Sequence, residues 1–137
     1  MGGSTAYNVV GTYGTQELAA PGNIPGGRTS ATTWTDAAGN FWLFGGSGMG
    51  STLVFGELND LWKYSGGQWT WMSGANVPAQ TGTYGTQGTP GPSNVPPCRD
   101  GAVGWADTSG NLWLFGGERT FCVNKSGDLN DLWEYPP

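Results

Sequence analysis

The chain has 137 residues and a formal net charge of −5, with 26 glycines, 8 tryptophans and no histidine. One ordinary domain fits this length, and the acidic balance argues against nucleic acid or an anionic membrane as partner. Without histidine the chain has no histidine general base, no Ser-His-Asp triad and no His-bearing zinc or copper site.

No apolar run is long enough to span a membrane. Met1–Thr5 has neither the basic start nor the apolar centre of a signal peptide; the alternative is a removed leader with an added methionine. Residues 1–10 read as an N-terminal segment. Within it, Ser4–Val10 is expected either to add as a strand to a neighbouring chain or to fray. The loop phrase Gly11-Thr12-Tyr13-Gly14-Thr15-Gln16 follows. Arg28–Asp36, rich in small and β-branched residues, is expected as the first strand of a sheet. Ala38-Gly39-Asn40 makes a tight turn, with Gly39 and Asn40 able to take positive φ. Phe41–Phe44 is apolar on both faces, so both faces require cover. Gly45-Gly46 ends that strand and a loop runs to Gly56. Leu58–Tyr64 is expected as a third strand and Gln68–Met72 as a fourth, with Trp69 and Trp71 on one face. Ser73–Cys98, rich in Gly, Pro, Thr and Asn, reads as ordered coil.

Residues 11–66 then recur as 82–137 at a constant offset of 71, the spacing of Arg28 and Arg99, Trp34 and Trp105, Asp36 and Asp107, and Asp60 and Asp131. A long internal period marks a repeat architecture. The expected units are 11–81 and 82–137, and the second lacks a counterpart of Gln68–Met72. Four antiparallel strands per unit, apolar on both faces, suit radial packing. The diglycines Gly45-Gly46 and Gly116-Gly117, the six residues between Tyr64 and Trp71, the arginines Arg28 and Arg99, and the phrases Leu58–Trp62 and Leu129–Trp133 carry a family resemblance. The repeat resembles a kelch repeat, in the long-loop form of bacterial galactose-oxidase-like central domains. The resemblance implies an all-β fold of kelch-type β-propeller blades, two per chain, the second without its outer strand. Kelch propellers usually carry five to seven repeats in one chain. Two blades leave wide apolar faces in water, so the expectation is either homo-oligomeric closure or a piece of a longer chain. Among closed rings, a trimer with six blades is favoured over a tetramer with eight. The galactose oxidases use a copper site with tyrosine and histidine ligands; with no histidine, that activity does not carry over. No cofactor and no metal are implied.

Arg28 and Arg99 are expected near a channel mouth. There they form either a cationic ring for carboxylates or sugars, or buried bridges to acids between blades. Trp34, Trp105, Tyr13 and Tyr84 are candidate stacking platforms for sugars, with packing as the alternative. Trp42, Trp62, Trp113 and Trp133 read as core between blades. Asp36, Asp60, Asp107 and Asp131 recur in both repeats, which suggests turn and backbone bonding rather than catalysis. Asp128, Asn130 and Asp131 offer calcium-type oxygens at a spacing that matches no specific loop. Cys98 and Cys122 form either a disulfide, suiting an exported, extracellular or cell-surface protein, or two free thiols. Asn124-Lys125-Ser126 fits a glycosylation acceptor. The functional expectation is a non-enzymatic module binding glycan or protein at its loop face. The alternatives are a self-assembling fragment or filament subunit without ligand, and a polysaccharide-active enzyme on a propeller scaffold.

Overall fold

The computed structural model describes residues 2–122 and 126–137. It is all-β and antiparallel. In chain order the strands are β1 (Arg28–Thr29), β2 (Thr32–Thr35), β3 (Phe41–Phe44), β4 (Ser47–Met49), β5 (Phe55–Glu57), β6 (Leu61–Ser65), β7 (Gln68–Ser73), β8 (Val103–Ala106), β9 (Leu112–Phe115), β10 (Glu118–Arg119), β11 (Gly127–Asp128) and β12 (Leu132–Tyr135). No helix is long and apolar enough to cross a membrane among the described residues.

The first repeat builds a four-stranded sheet in the order β2-β3-β6-β7, and the second a three-stranded sheet in the order β8-β9-β12. Their registers correspond at the 71-residue offset: Trp34 faces Trp42 across β2 and β3, as Trp105 faces Trp113 across β8 and β9. The β6–β7 hairpin closes on Gly66-Gly67, with φ of 58° and 84°. Two consecutive positive φ values match the twist of the flanking strands, and glycine adopts them without a Cβ penalty.

Four expectations are corrected here. Arg28–Asp36 is not one strand. The chain breaks at Ser30, with φ of 55°, so that β1 pairs with β4 while β2 pairs with β3. The segment after the diglycine is not a plain loop: β4 and β5 form a hairpin on β1, giving a second three-stranded sheet. Leu58-Asn59-Asp60 lies outside the third strand, which starts at Leu61. In the Gly39 turn only Gly39, not Asn40, takes a positive φ.

The core lies between the two repeats. Trp34, Trp42, Phe44 and Leu61 of the first sheet meet Leu112 and Leu114 of the second, with Met72, Ala102, Trp133 and Tyr135 at the margin. Backbone bonds seal the joint: Arg99 N–H donates to Leu58 O (3.1 Å), Gly46 N–H to Arg99 O (2.9 Å), and Gly101 N–H to Ser30 O (2.9 Å). The diglycine is required at this approach. A Cβ on Gly45 would stand 2.7 Å from Arg99 O, and one on Gly46 would stand 2.5 Å from Thr29 O. Residues 2–8 are exposed, and Val9 O accepts the Gly27 N–H at 2.8 Å.

Candidate functional site

Each repeat is anchored on one buried carboxylate. Asp60 is fully buried, and its Oδ1 accepts from Arg28 Nη1 at 2.6 Å. Its Oδ2 accepts from Arg28 Nη2 (2.8 Å), the Tyr13 hydroxyl (2.5 Å) and Trp62 Nε1 (2.7 Å). Asp131 repeats the set with Arg99, Tyr84 and Trp133. A bidentate guanidinium–carboxylate pair with its remaining lone pairs filled is the arrangement in which buried charges persist. Burial works against the charged Asp131. Bonds from Arg99, Trp133 and Tyr84 outweigh it and hold the carboxyl at about 2. Burial and the Asp60 charge push the Tyr13 phenol far above its ordinary value.

These contacts correct the cationic-ring expectation. Arg28 and Arg99 are committed to Asp60 and Asp131, with side chains 5% and 1% exposed, so neither guanidinium is free for a carboxylate or sugar. The bridges also lie within a repeat rather than between repeats. Tyr13 and Trp34 are buried and present no platform. Trp34 donates its indole N–H to Trp113 O at 2.9 Å, across the joint. Asp36 and Asp107 are turn acceptors. Asp36 takes the N–H groups of Ala38 and Asn40, the Asn40 amide and the Trp42 indole, and Asp107 takes the corresponding four. Those bonds, led by Trp42, overcome desolvation and lower Asp36 to about 2.

Cys98 and Cys122 are joined as a disulfide, with Cα atoms 6.2 Å apart. Glu57 approaches both sulfurs, but the bonded cysteines offer no thiolate, and the two Glu57 oxygens accept the Thr120 and Phe121 N–H groups at 2.6 and 2.7 Å. Asp131 is occupied by Arg99, which removes it from the calcium-type trio with Asp128 and Asn130. Asn124 and Lys125 of the glycosylation pattern lie outside the described residues.

What distinguishes the repeats is exposure at matched positions. Trp34 is 7% exposed and Trp105 43%; Phe44 is 3% and Phe115 44%; Leu61 is 5% and Leu132 54%. Thr32 is buried where Val103 is exposed, and Tyr13 where Tyr84 is exposed. The second repeat therefore presents, uncovered, the face that the first repeat buries against it. Trp105 lies flat on Trp113 there, with centroids 6.1 Å apart and planes 2° apart. On the opposite side of the first repeat, Phe41 and Tyr64 are exposed where their counterparts Leu112 and Tyr135 pack into the joint. A third exposed apolar group, Leu53, Val54, Phe55 and Phe121, caps one end, and Phe55 meets Phe121 edge-on at 6.0 Å.

Sequence reasoning missed Glu57, Ser47, Asp100 and Gly104. Ser47 Oγ donates to Asp100 Oδ2 at 2.6 Å across the repeats. A Cβ on Gly104 would stand 2.5 Å from Thr32 Cγ2 and 2.6 Å from the Trp34 indole, so only glycine admits that ring. The available signal was the acid preceding Leu-Asn-Asp in both repeats, Glu57 and Asp128. No protein-family model matches the chain, and no curated protein matches it.

Proposed function

We propose that this chain is a non-enzymatic assembly and binding module made of two kelch-like propeller blades, which completes a ring by docking copies head to tail. The carrying observation is the internal joint, in which one repeat buries against the next the same face that the second repeat leaves open. Val103, Trp105, Phe115 and Leu132 of one copy meet Phe41, Leu43 and Tyr64 of the next. Covering each of the four to the extent of its counterpart contributes about 1 kcal/mol, or about 4 kcal/mol together. That is at the lower end of the association cost, so assembly depends on concentration and on the hydrogen bonds at the joint.

The copy-to-copy joint is not a replica of the internal one. Thr33 stands where the internal joint has Gly104, so Trp105 cannot seat as Trp34 does. Its flat pose on Trp113 leaves room for the threonine. Three copies give six blades, favoured over four copies and eight. The loop end carrying Leu53, Val54, Phe55 and Phe121 is the ligand face. Its aliphatic and phenyl groups suit an apolar protein surface better than a sugar, which prefers indole or phenol platforms with polar partners. The disulfide supports an exported location. The recurring acids are filled by N–H and O–H donors, which supports a structural rather than catalytic use.

Light scattering coupled to size exclusion across a range of concentrations tests the reading. A trimer is expected, and Trp105→Asp shifts it to monomer without changing the far-UV spectrum. A folded monomer at every concentration refutes the ring.

A further inference from the structure

In the first repeat the outer strand β7 is held by the loop that opens the repeat. Glu17 N–H donates to Trp71 O at 2.8 Å, Gln16 Nε2 to Met72 O at 3.1 Å, and Asn23 Nδ2 to Trp69 O at 3.2 Å. Tyr13 meets Trp71 edge-on at 5.3 Å, and Trp62 meets Trp69 at 6.3 Å. So β7 is fastened along one edge by β6, and by three donors and two rings besides.

The second repeat builds the same fastening. Its loop is pinned by the bridge Thr83↔Val95, as the first is by Thr12↔Ile24. Asn94 Nδ2 donates to Thr89 O at 3.1 Å, matching Asn23 to Leu18 O at 3.0 Å. Gly88, with φ of 73°, holds the left-handed turn that Glu17 holds at 63°. Tyr84 sits 5.1 Å from Trp133 with its hydroxyl on Asp131. The donors Gln87, Gly88 N–H and Asn94 therefore stand in the arrangement that grips β7, beside a β12 whose outer edge pairs with no strand among the described residues.

We infer that the edge of β12 and the loop over residues 82–95 form a strand-acceptor site for an extended polypeptide segment bearing tryptophan at alternate positions, the chemistry of Gln68–Ser73. Main-chain bonds to β12 supply pairing, and Tyr84 and Trp133 select the alternate rings. The site rests on the loop and edge of one repeat, and does not depend on ring closure.

The test uses the full chain and a fluorescein-labelled peptide of residues 66–75, read by anisotropy. Saturable binding is expected, with loss when both tryptophans of the peptide are alanine. Gln87→Ala on the protein, an exposed side chain, lowers affinity about 3–10-fold, as removal of one hydrogen bond does. Equal binding of the alanine peptide, or no effect of Gln87→Ala, overturns the site. So does capture of a peptide of residues 4–10 in preference to the tryptophan peptide, which assigns the edge to a different strand. Peptide binding by a chain that stays monomeric supports the site and refutes the ring; assembly without peptide binding does the reverse.

Discussion

Asp60→Asn separates the two carboxylate hubs, which share a sequence and differ in burial. In the first repeat the carboxylate takes four bonds at 2.5–2.8 Å and is fully buried, and its Arg28 partner is 5% exposed. Asparagine keeps one acceptor oxygen and turns the other position into a donor facing Arg28 or Tyr13. The guanidinium is then left in the interior without its counter-charge. Breaking one side of a buried pair costs about 3–5 kcal/mol. Asp131 has the corresponding partners at 2.6–2.8 Å, but its side chain is 16% exposed and Tyr84 is open to solvent. Water reaches the Asp131 position and the Tyr84 hydroxyl there, while Arg99 stays buried, so Asp131→Asn costs about 2–3 kcal/mol, between a partly compensated hydrogen bond and a broken buried pair. Equilibrium denaturation with guanidinium chloride reads the difference, with both variants keeping the parent slope. Equal losses, or a loss below about 1 kcal/mol for Asp60→Asn, would refute the claim that burial sets the strength of the hub.

Acid titration gives a second prediction. Asp36 and Asp131 are depressed from 3.8 to about 2, so the folded chain binds these protons less readily than the unfolded chain. Their stabilisation is fully present above about pH 4 and is lost as pH falls toward 2, contributing about 1 kcal/mol each after solvent screening. Thermal midpoints measured from pH 5 to pH 2 should fall through that window, and Asp131→Asn should flatten the fall; an unchanged slope counts against it. Reduction of the Cys98–Cys122 bond opens a loop with a sequence separation of 24 and lowers stability by about 3 kcal/mol. Denaturation with and without a phosphine reductant measures it, and identical midpoints would show that the Glu57 bonds alone hold the Thr120–Phe121 backbone.

The repeat register was legible because the offset of 71 holds without a gap from Gly11 to Tyr64, and because apolar strands such as Phe41–Phe44 carry their own signal. The diglycine marked the end of the Phe41–Phe44 strand, and the turn role of Asp36 followed from its place before Gly39-Asn40. The β4–β5 hairpin was not legible: Ser47-Gly48-Met49 shows no alternation, and its pairing is set by where Gly46 redirects the chain. The break at Ser30 was hidden because a left-handed serine has no pattern of its own; it exists to pass the chain between two sheets. The ligands of Asp60 come from Tyr13 and Arg28, 47 and 32 residues away, so the hub needed the fold before it could be assembled.

The positions at which the repeats differ explain why their joints cannot be interchangeable. The hub residues Tyr, Arg, Asp and Trp are identical in both copies because every partner lies within one repeat. Several positions that line the joint face diverge. Thr32 donates its hydroxyl to Ala102 O at 3.0 Å, and Val103 has no hydroxyl to do the same. Glu57 caps the Thr120 and Phe121 amides, and the shorter Asp128 sits exposed on the open face. Lys63 covers the Trp42 ring at 5.1 Å, and Glu134 takes that place in the second repeat. A hydroxyl, a side-chain length and a charge all change at the surface a neighbour would meet, while nothing changes in the hub behind it. In the proposed assembly such a pattern would give two kinds of joint, one internal and one between copies, and would disfavour register slips in which the second repeat docks where the first belongs. The hub makes the two sheets alike, and the joint residues fix their order.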